Sequence, residues 1–183
     1  MSFAPAVWAW RHPRATGAEG RCIGRTDLPV DRRRAKRLAR RIQRAARRAG
    51  LARVVFTSPL QRCAAVGRQL RAWGWQHRIE PALLEMDFGA WEGRAWSAIP
   101  RAEVDAWCTD FSHHAPGGGE PLHTLFERVA AWRPETPAIV VAHAGWMLAR
   151  CWLAAGESGL PTAASWPAPP AHGALWRLQR GER

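Results

Sequence analysis

Short apolar runs with strand character alternate along this chain with longer segments of helical period, and that alternation admits a layered α/β architecture. The first run, Ala6 to Arg11, leads through a loop to Val30. Beyond it Ala35, Leu38, Ala39, Ile42, Ala45, Ala46 and Ala49 recur at helical spacing while arginines fill the other face. Asp31 reads as the N-cap of that helix and Gly50 as its stop. Arg53–Thr57 is a second strand, after which Ser58 is expected to cap a helix that carries Pro59 at its first position and runs to about Trp73. An extended piece at Arg78–Pro81, a helix over Ser97–Asp110, a loop at Pro116–Gly119 and a helix over Pro121–Trp132 follow. Ala138–Ala142 has the continuous apolar character of a central buried strand. Gly145–Ala155 returns as helix, and Ala174–Leu178 forms a last strand after the proline-rich turn Pro167–Pro170. The expected architecture is a three-layer α/β sandwich, a mostly parallel central sheet with helices on both faces, and 183 residues suit a single domain, 1–183.

The surroundings of such a domain are also constrained. Pro5 interrupts the first apolar stretch and Arg11-His12-Pro13-Arg14 closes it, so the opening residues do not read as a signal peptide. No run reaches membrane-spanning length, and no membrane partner is expected. Cys22, Cys63, Cys108 and Cys151 lie far apart with no Cys-x-x-Cys pair, which implies neither a zinc site nor a disulfide framework. The cytoplasm is the expected location. A net charge of +12 raises the possibility of a nucleic-acid partner. Yet Lys36 is the only lysine, asparagine and tyrosine are absent, and Ala, Arg and Trp abound, a pattern of codon bias toward G and C. Much of the charge falls on Arg32–Arg48, whose apolar stripe is complete without a partner. It reads as a solvated helix face, and no specific nucleic-acid partner is expected.

Chemistry enters where the first strand ends, at Arg11-His12. Three further segments complete a constellation: Thr57-Ser58-Pro59-Leu60-Gln61-Arg62, Glu85 to Gly93, and Val140 to Gly145. His12, Arg62 and His143 each fall just past the carboxyl end of an expected strand or in the first turn of the following helix, the edge at which open α/β sheets bind ligands. Helix N-termini there favour an anion. The residue types suit phosphoryl transfer. A neutral imidazole is a competent nucleophile near neutral pH, and His12 is the candidate. Arg11 and Arg62 can hold the equatorial oxygens bidentately without losing charge, and His143 can bond another, more strongly if the pocket keeps it protonated. The departing alkoxide needs a proton, which a partly buried carboxyl can give and later recover from water. Glu85 fits best, with Asp87 as the alternative. His77, His113, His114, His123 and His172 read as structural histidines.

These four segments together resemble the histidine phosphatase superfamily, the phosphoglycerate mutase-like fold, over nearly the whole chain. The resemblance rests on Arg11-His12, on Ser58 to Arg62, on Glu85 as catalytic acid and on His143-Ala144-Gly145. It implies a covalent phosphohistidine at His12, a phosphate pocket of Arg11, Arg62 and His143, and a metal-independent hydrolase with no cofactor. Cys22 to Pro29, Met86 to Gly93 and Pro116 to Glu120 are most similar to the α-ribazole phosphatase branch of cobalamin biosynthesis. The implied substrate is then α-ribazole 5′-phosphate or the corresponding cobamide phosphate, with Arg25 and Trp91 as further substrate contacts, Trp91 offering its face to a flat benzimidazole. Two departures stand out. Pro13 occupies a position where glycine is the superfamily norm and so offers no backbone N–H to a phosphate. No asparagine exists to make the supporting contact of this loop, for which Thr16 is the available substitute.

Other functions weigh less. A phosphoglycerate mutase shares the chemistry up to the phosphohistidine, but mutases resemble a longer chain with an inserted basic segment after the acidic motif. A broad-specificity sugar or nucleotide phosphatase is the other enzymatic alternative. No Gly-x-x-x-x-Gly-Lys-Ser/Thr supports a P-loop enzyme. A basic nucleic-acid binder or an inactive scaffold would leave a full catalytic set unused.

Overall fold

The computed structural model describes residues 7–134, 137–157 and 159–178. Its strands are β1 (Val7–Arg11), β2 (Val54–Thr57), β3 (Gln76–Ile79), β4 (Ala138–Ala142) and β5 (Leu175–Leu178). Its α-helices are α1 (Arg32–Arg48), α2 (Gln61–Arg71), α3 (Arg101–Thr109), α4 (Leu122–Ala131) and α5 (Ala144–Ala155). The strands form one sheet in the order β3-β2-β4-β1-β5. All neighbours are parallel except β5, which runs antiparallel to β1.

The alternation of side chains along the two central strands divides the core. Val7 and Ala9 of β1, with Ala138, Val140 and Ala142 of β4, pack against Leu125 and Val129 of α4 and Met147 of α5. Trp8, Trp10, Ile139 and Val141 point the other way, onto Leu38 and Ile42 of α1 and Val66 and Leu70 of α2. The sheet is thus covered on both faces, which is why β4 is apolar at every position. At the N-terminus of α1 the Asp31 carboxylate accepts from Arg34 N at 2.9 Å, and Ala35, Leu38, Ala39, Ile42 and Ala46 of the apolar stripe are buried, with Ala45 half-buried and Ala49, past the helix end, exposed. No helix among the described residues is long and apolar enough to cross a membrane.

Three expected elements change their bounds. Ser58 does not cap α2: its hydroxyl accepts from Leu60 N at 3.3 Å, and the helix begins at Gln61. The cap comes instead from a distant loop, through Asp27 Oδ1, which accepts from Gln61 N at 2.6 Å. Pro100 splits the expected helix 97–110 into a 3₁₀ turn at Trp96–Ala98 and α3, because the residue before a proline is driven out of the helical region. The extended piece begins earlier, at Gln76, and Pro81 opens a 3₁₀ turn. The expected start of the first strand, Ala6, lies outside the described residues.

Candidate active site

The sheet order assembles the site. β1 and β4 are parallel neighbours with Arg11 opposite Ala142, so the residues that follow them must be adjacent. His12 N donates to Ala142 O at 3.0 Å, and the rings of His12 and His143 lie 5.1 Å apart. β2 flanks β4 on its other side, and Ser58 N donates to Val141 O at 3.3 Å, which brings the start of α2 and Arg62 to the same edge. Glu85 arrives on the chain between the 3₁₀ turn Pro81–Leu83 and Met86. His12, Arg62, Glu85 and His143 are all buried.

His12 donates from Nδ1 to the Pro13 carbonyl at 2.7 Å, since a carbonyl can only accept. This fixes the tautomer and leaves Nε2 with its lone pair. Burial, then the Arg62 guanidinium, holds the His12 pKa well below its usual value, so the ring is neutral at physiological pH. His143 is neutral for the same two reasons in the same order, with His12 and Arg11 adding to them. A protonated His143 is therefore not what these surroundings favour.

Arg62 is held by the loop after β1, donating from Nη1 to Thr26 O at 2.8 Å and from Nη2 to Gly24 O. Arg11 donates from Nη1 to Pro170 O. Each keeps a buried Nε–H with no hydrogen-bond partner among the described residues, a costly arrangement unless an anion completes it. The carboxylate of Glu85 accepts from Gly145 N at 2.9 Å and Met86 N at 3.1 Å. Gly145 must be glycine for this approach, because a Cβ there would collide with Glu85 Oε1.

A cavity of about 450 Å³ opens from His12, Arg11, Arg62, Glu85 and the N-terminus of α5. Its outer wall is aromatic, with Phe88, Trp96, Trp107, Phe111 and Trp166. His143 stands behind it, against His12. Among the described residues no group of three or more His, Cys, Asp or Glu is placed to hold a metal ion.

Two sequence candidates are placed elsewhere. Trp91 is 1% exposed, packed among Cys22, Ile99 and Trp107, with its indole N–H donating to Glu103 at 2.7 Å. It does not line the cavity, because the 3₁₀ turn Gly89–Trp91 points it inward. Trp96, 42% exposed, holds the surface position instead. Arg25 is likewise not a cavity residue: its guanidinium lies 3.3 Å from Glu120 and 3.7 Å from Asp87. Those contacts also take Asp87 out of competition with Glu85, since Asp87 faces Arg25 and Gly89 N rather than the cavity. Thr16 is exposed outside the cavity wall.

Sequence reasoning missed three supports. Glu92 accepts from the backbone N–H groups of Gly24, Arg25, Thr26 and Phe88 and from the Thr26 hydroxyl, fixing the loop that holds Arg62. Burial alone would raise its pKa, but the donors from Thr26, Arg25 and Phe88 outweigh burial and hold it below the usual range. Its place in Trp91-Glu92-Gly93 was the available signal. Cys63 packs its sulfur 3.5 Å from His143 Nε2, and burial pushes its pKa up, so it remains a thiol. His172 lies 5.3 Å from the His12 ring, and nothing in its local sequence marked it.

The family model of the histidine phosphatase superfamily (branch 1) matches residues 7–181. No curated protein matches the sequence. Among solved structures, a phosphoglycerate mutase from Thermus thermophilus is 30% identical, with 94% of this chain and 98% of that one covered and a TM-score of 0.64. The α-ribazole phosphatase from Shigella flexneri is 22% identical, covering 96% and 95%, with a TM-score of 0.73. The mycobacterial glucosyl-3-phosphoglycerate phosphatase complexed with VO3 is 23% identical, covering 94% and 90%, with a TM-score of 0.72. The last two likenesses carry the fold.

Proposed function

Given that the chain belongs to the histidine phosphatase superfamily, as a phosphomonoester hydrolase of that type, we propose that it works through a phosphohistidine on His12 and acts on α-ribazole 5′-phosphate or the cobamide phosphate carrying the same group. His12 Nε2, its lone pair freed by the Nδ1–H bond to Pro13, attacks phosphorus in line with the ester oxygen. Arg11 and Arg62 take the equatorial oxygens, which gives their unpartnered Nε–H groups an acceptor. Glu85 protonates the leaving oxygen. The N–P bond then breaks as water, surrendering a proton to the Glu85 carboxylate, attacks phosphorus and returns His12 as a neutral imidazole.

The observation that carries the substrate choice is the aromatic outer wall of the cavity, from Phe88 to Trp166. A flat heteroaromatic leaving group gains there by stacking, worth about 1–3 kcal/mol per ring, or roughly tenfold to hundredfold in affinity. A sugar acid gains nothing from those rings. The test is kcat/KM for α-ribazole 5′-phosphate against 3-phosphoglycerate: about tenfold or more in favour of the former is expected, and Trp96→Ala should narrow the gap. Mutase turnover exceeding hydrolysis would favour the phosphoglycerate mutase reading, to which the Thermus thermophilus relative lends its 30% identity. Equal turnover of many phosphomonoesters would favour a broad-specificity phosphatase.

A further inference from the structure

We propose that His172 is a third imidazole of the catalytic centre, whose Nε2 bonds an oxygen of the transferring phosphoryl group and supplies the donor that Pro13 cannot. The inference rests on the phosphohistidine reading of His12.

On its cavity side the loop after β1 carries one side-chain donor, Arg21, whose guanidinium bonds Gly93 O at 2.9 Å, and it offers none from the residue that follows His12. Pro13 has no N–H and uses its carbonyl to hold His12 Nδ1. Ala15 and Ala18, which line the cavity, have no polar side-chain atoms. The segment that closes this side comes from the far end of the chain and is fastened to Arg11, the residue before the nucleophile. Arg11 Nη1 donates to Pro170 O, Gly173 N donates to Arg11 O at 3.0 Å, and Arg11 N donates to Ala174 O at 3.1 Å. Within this frame His172 donates from Nδ1 to the His12 carbonyl at 3.2 Å. Its ring sits 5.3 Å from that of His12, matching the 5.1 Å separation of His143 from His12, and it lines the cavity. Two imidazole rings thus stand at nearly equal range from the nucleophile's ring, and of the two only His172 lines the cavity.

The tautomer has a consequence for protons. With Nδ1–H committed to the His12 carbonyl, a neutral His172 presents only a lone pair at Nε2, which repels a phosphate oxygen. A phosphate dianion can be bound there only if Nε2 gains a proton. The charged and titratable groups around His172 are Arg11 at the end of β1, His12 and Arg14 from the loop that follows, and Arg34, Arg37 and Arg41 from α1, the last three sharing a groove with it and Arg14. Burial, then Arg11, lowers its pKa, so the free ring is neutral. An incoming dianion reverses that balance, and binding takes up a proton at His172.

Inorganic phosphate is the probe, titrated calorimetrically into the full-length protein in two buffers of different ionisation enthalpy, at a pH where phosphate is a dianion. His172→Ala should weaken phosphate binding about tenfold to hundredfold, the size of one hydrogen bond to a charged group. It should also lower the number of protons taken up. His172→Gln keeps an N–H donor but cannot titrate, so it should restore part of the affinity and none of the proton uptake. Should His172→Ala fail to fold, His172→Gln alone decides. Wild-type affinity in these variants, or weaker binding with proton uptake intact, overturns the role of His172. A wild-type protein that neither binds phosphate nor hydrolyses phosphomonoesters overturns the underlying function instead.

Discussion

Replacing Gly145 by alanine separates catalysis from stability at one atom. Gly145 has ordinary backbone angles at the start of α5, without a positive φ, so alanine is conformationally acceptable. In a helix interior alanine is favoured over glycine by about 1 kcal/mol. The added methyl, however, would collide with Glu85 Oε1 and stand 3.2 Å from the carboxyl carbon. Glu85 must move, giving up its 2.9 Å bond from Gly145 N, and a hydrogen bond to a charged group is worth about 1.5–3 kcal/mol. The first term offsets part of the second, leaving a net loss of about 0.5–2 kcal/mol. Catalysis has no such compensation, because a misplacement of about 1 Å can cost a hundredfold. Gly145→Ala should therefore fold, with a small change in Tm, and lose about a hundredfold in kcat/KM on alkyl phosphates. Aryl phosphates with acidic phenol leaving groups need little protonation, and their phosphorylation step, read by rapid quench, should be partly spared. Glu85→Gln provides the reference and should show the same leaving-group dependence. Equal losses on both ester classes, or alkyl turnover near wild type, would refute the assignment of Glu85 as the acid that Gly145 admits.

His12→Ala should abolish nearly all turnover, commonly several orders of magnitude for a lost nucleophile, and wild-type enzyme quenched in base should retain an acid-labile phosphoryl group that the variant lacks. The buried imidazoles predict the pH dependence of stability. Because His12 and His143 have folded pKa values depressed below the unfolded value near 6.5, the unfolded chain binds more protons as pH falls through that range. Stability present above about pH 6.5 should decline on acidification, by up to about 1.4 kcal/mol per pH unit for each imidazole, and His12→Ala should flatten the slope in urea titrations. A stability that rose on acidification would be incompatible with neutral buried rings. Changing the exposed Arg33, Arg40, Arg44 and Arg47 to glutamine should leave turnover near wild type, and any nucleic-acid binding should weaken steeply with salt. Tight sequence-selective binding at physiological salt would overturn the reading of α1 as a solvated face.

The framework of this fold is written locally. Each of β1, β2 and β4 is a short apolar run, and α1 carries both its stripe and its Asp31 cap within its own sequence. The boundaries that moved depend on partners far along the chain. Ser58-Pro59 resembles a helix start, yet α2 takes its cap from Asp27, a residue 34 positions earlier. Composition gives no sign of such a pairing, because the chain first has to fold to bring the two together.

The site divides along the same line. His12, Arg62 and His143 were legible because each follows a strand, and parallel neighbours place the residues after their carboxyl ends side by side whatever the loops do. Trp91 and Trp96 are both tryptophans near the acidic motif, and sequence offers no basis for choosing between them. The 3₁₀ turn at Gly89–Trp91 turns the first inward onto Glu103 and leaves the second at the cavity. Arg25 lies in the loop that holds Arg62, but two carboxylates from other segments claim its guanidinium first. The place of His172 beside His12 was hidden for the opposite reason. It sits in a loop with no motif, and only the antiparallel return of β5 along β1 carries it back to His12. A strand that runs against its neighbour delivers the residues preceding it, rather than those following it, to the edge where β1 ends. In a sheet of this topology, a functional residue contributed by β5 therefore has to lie before the strand, in the turn after the proline run.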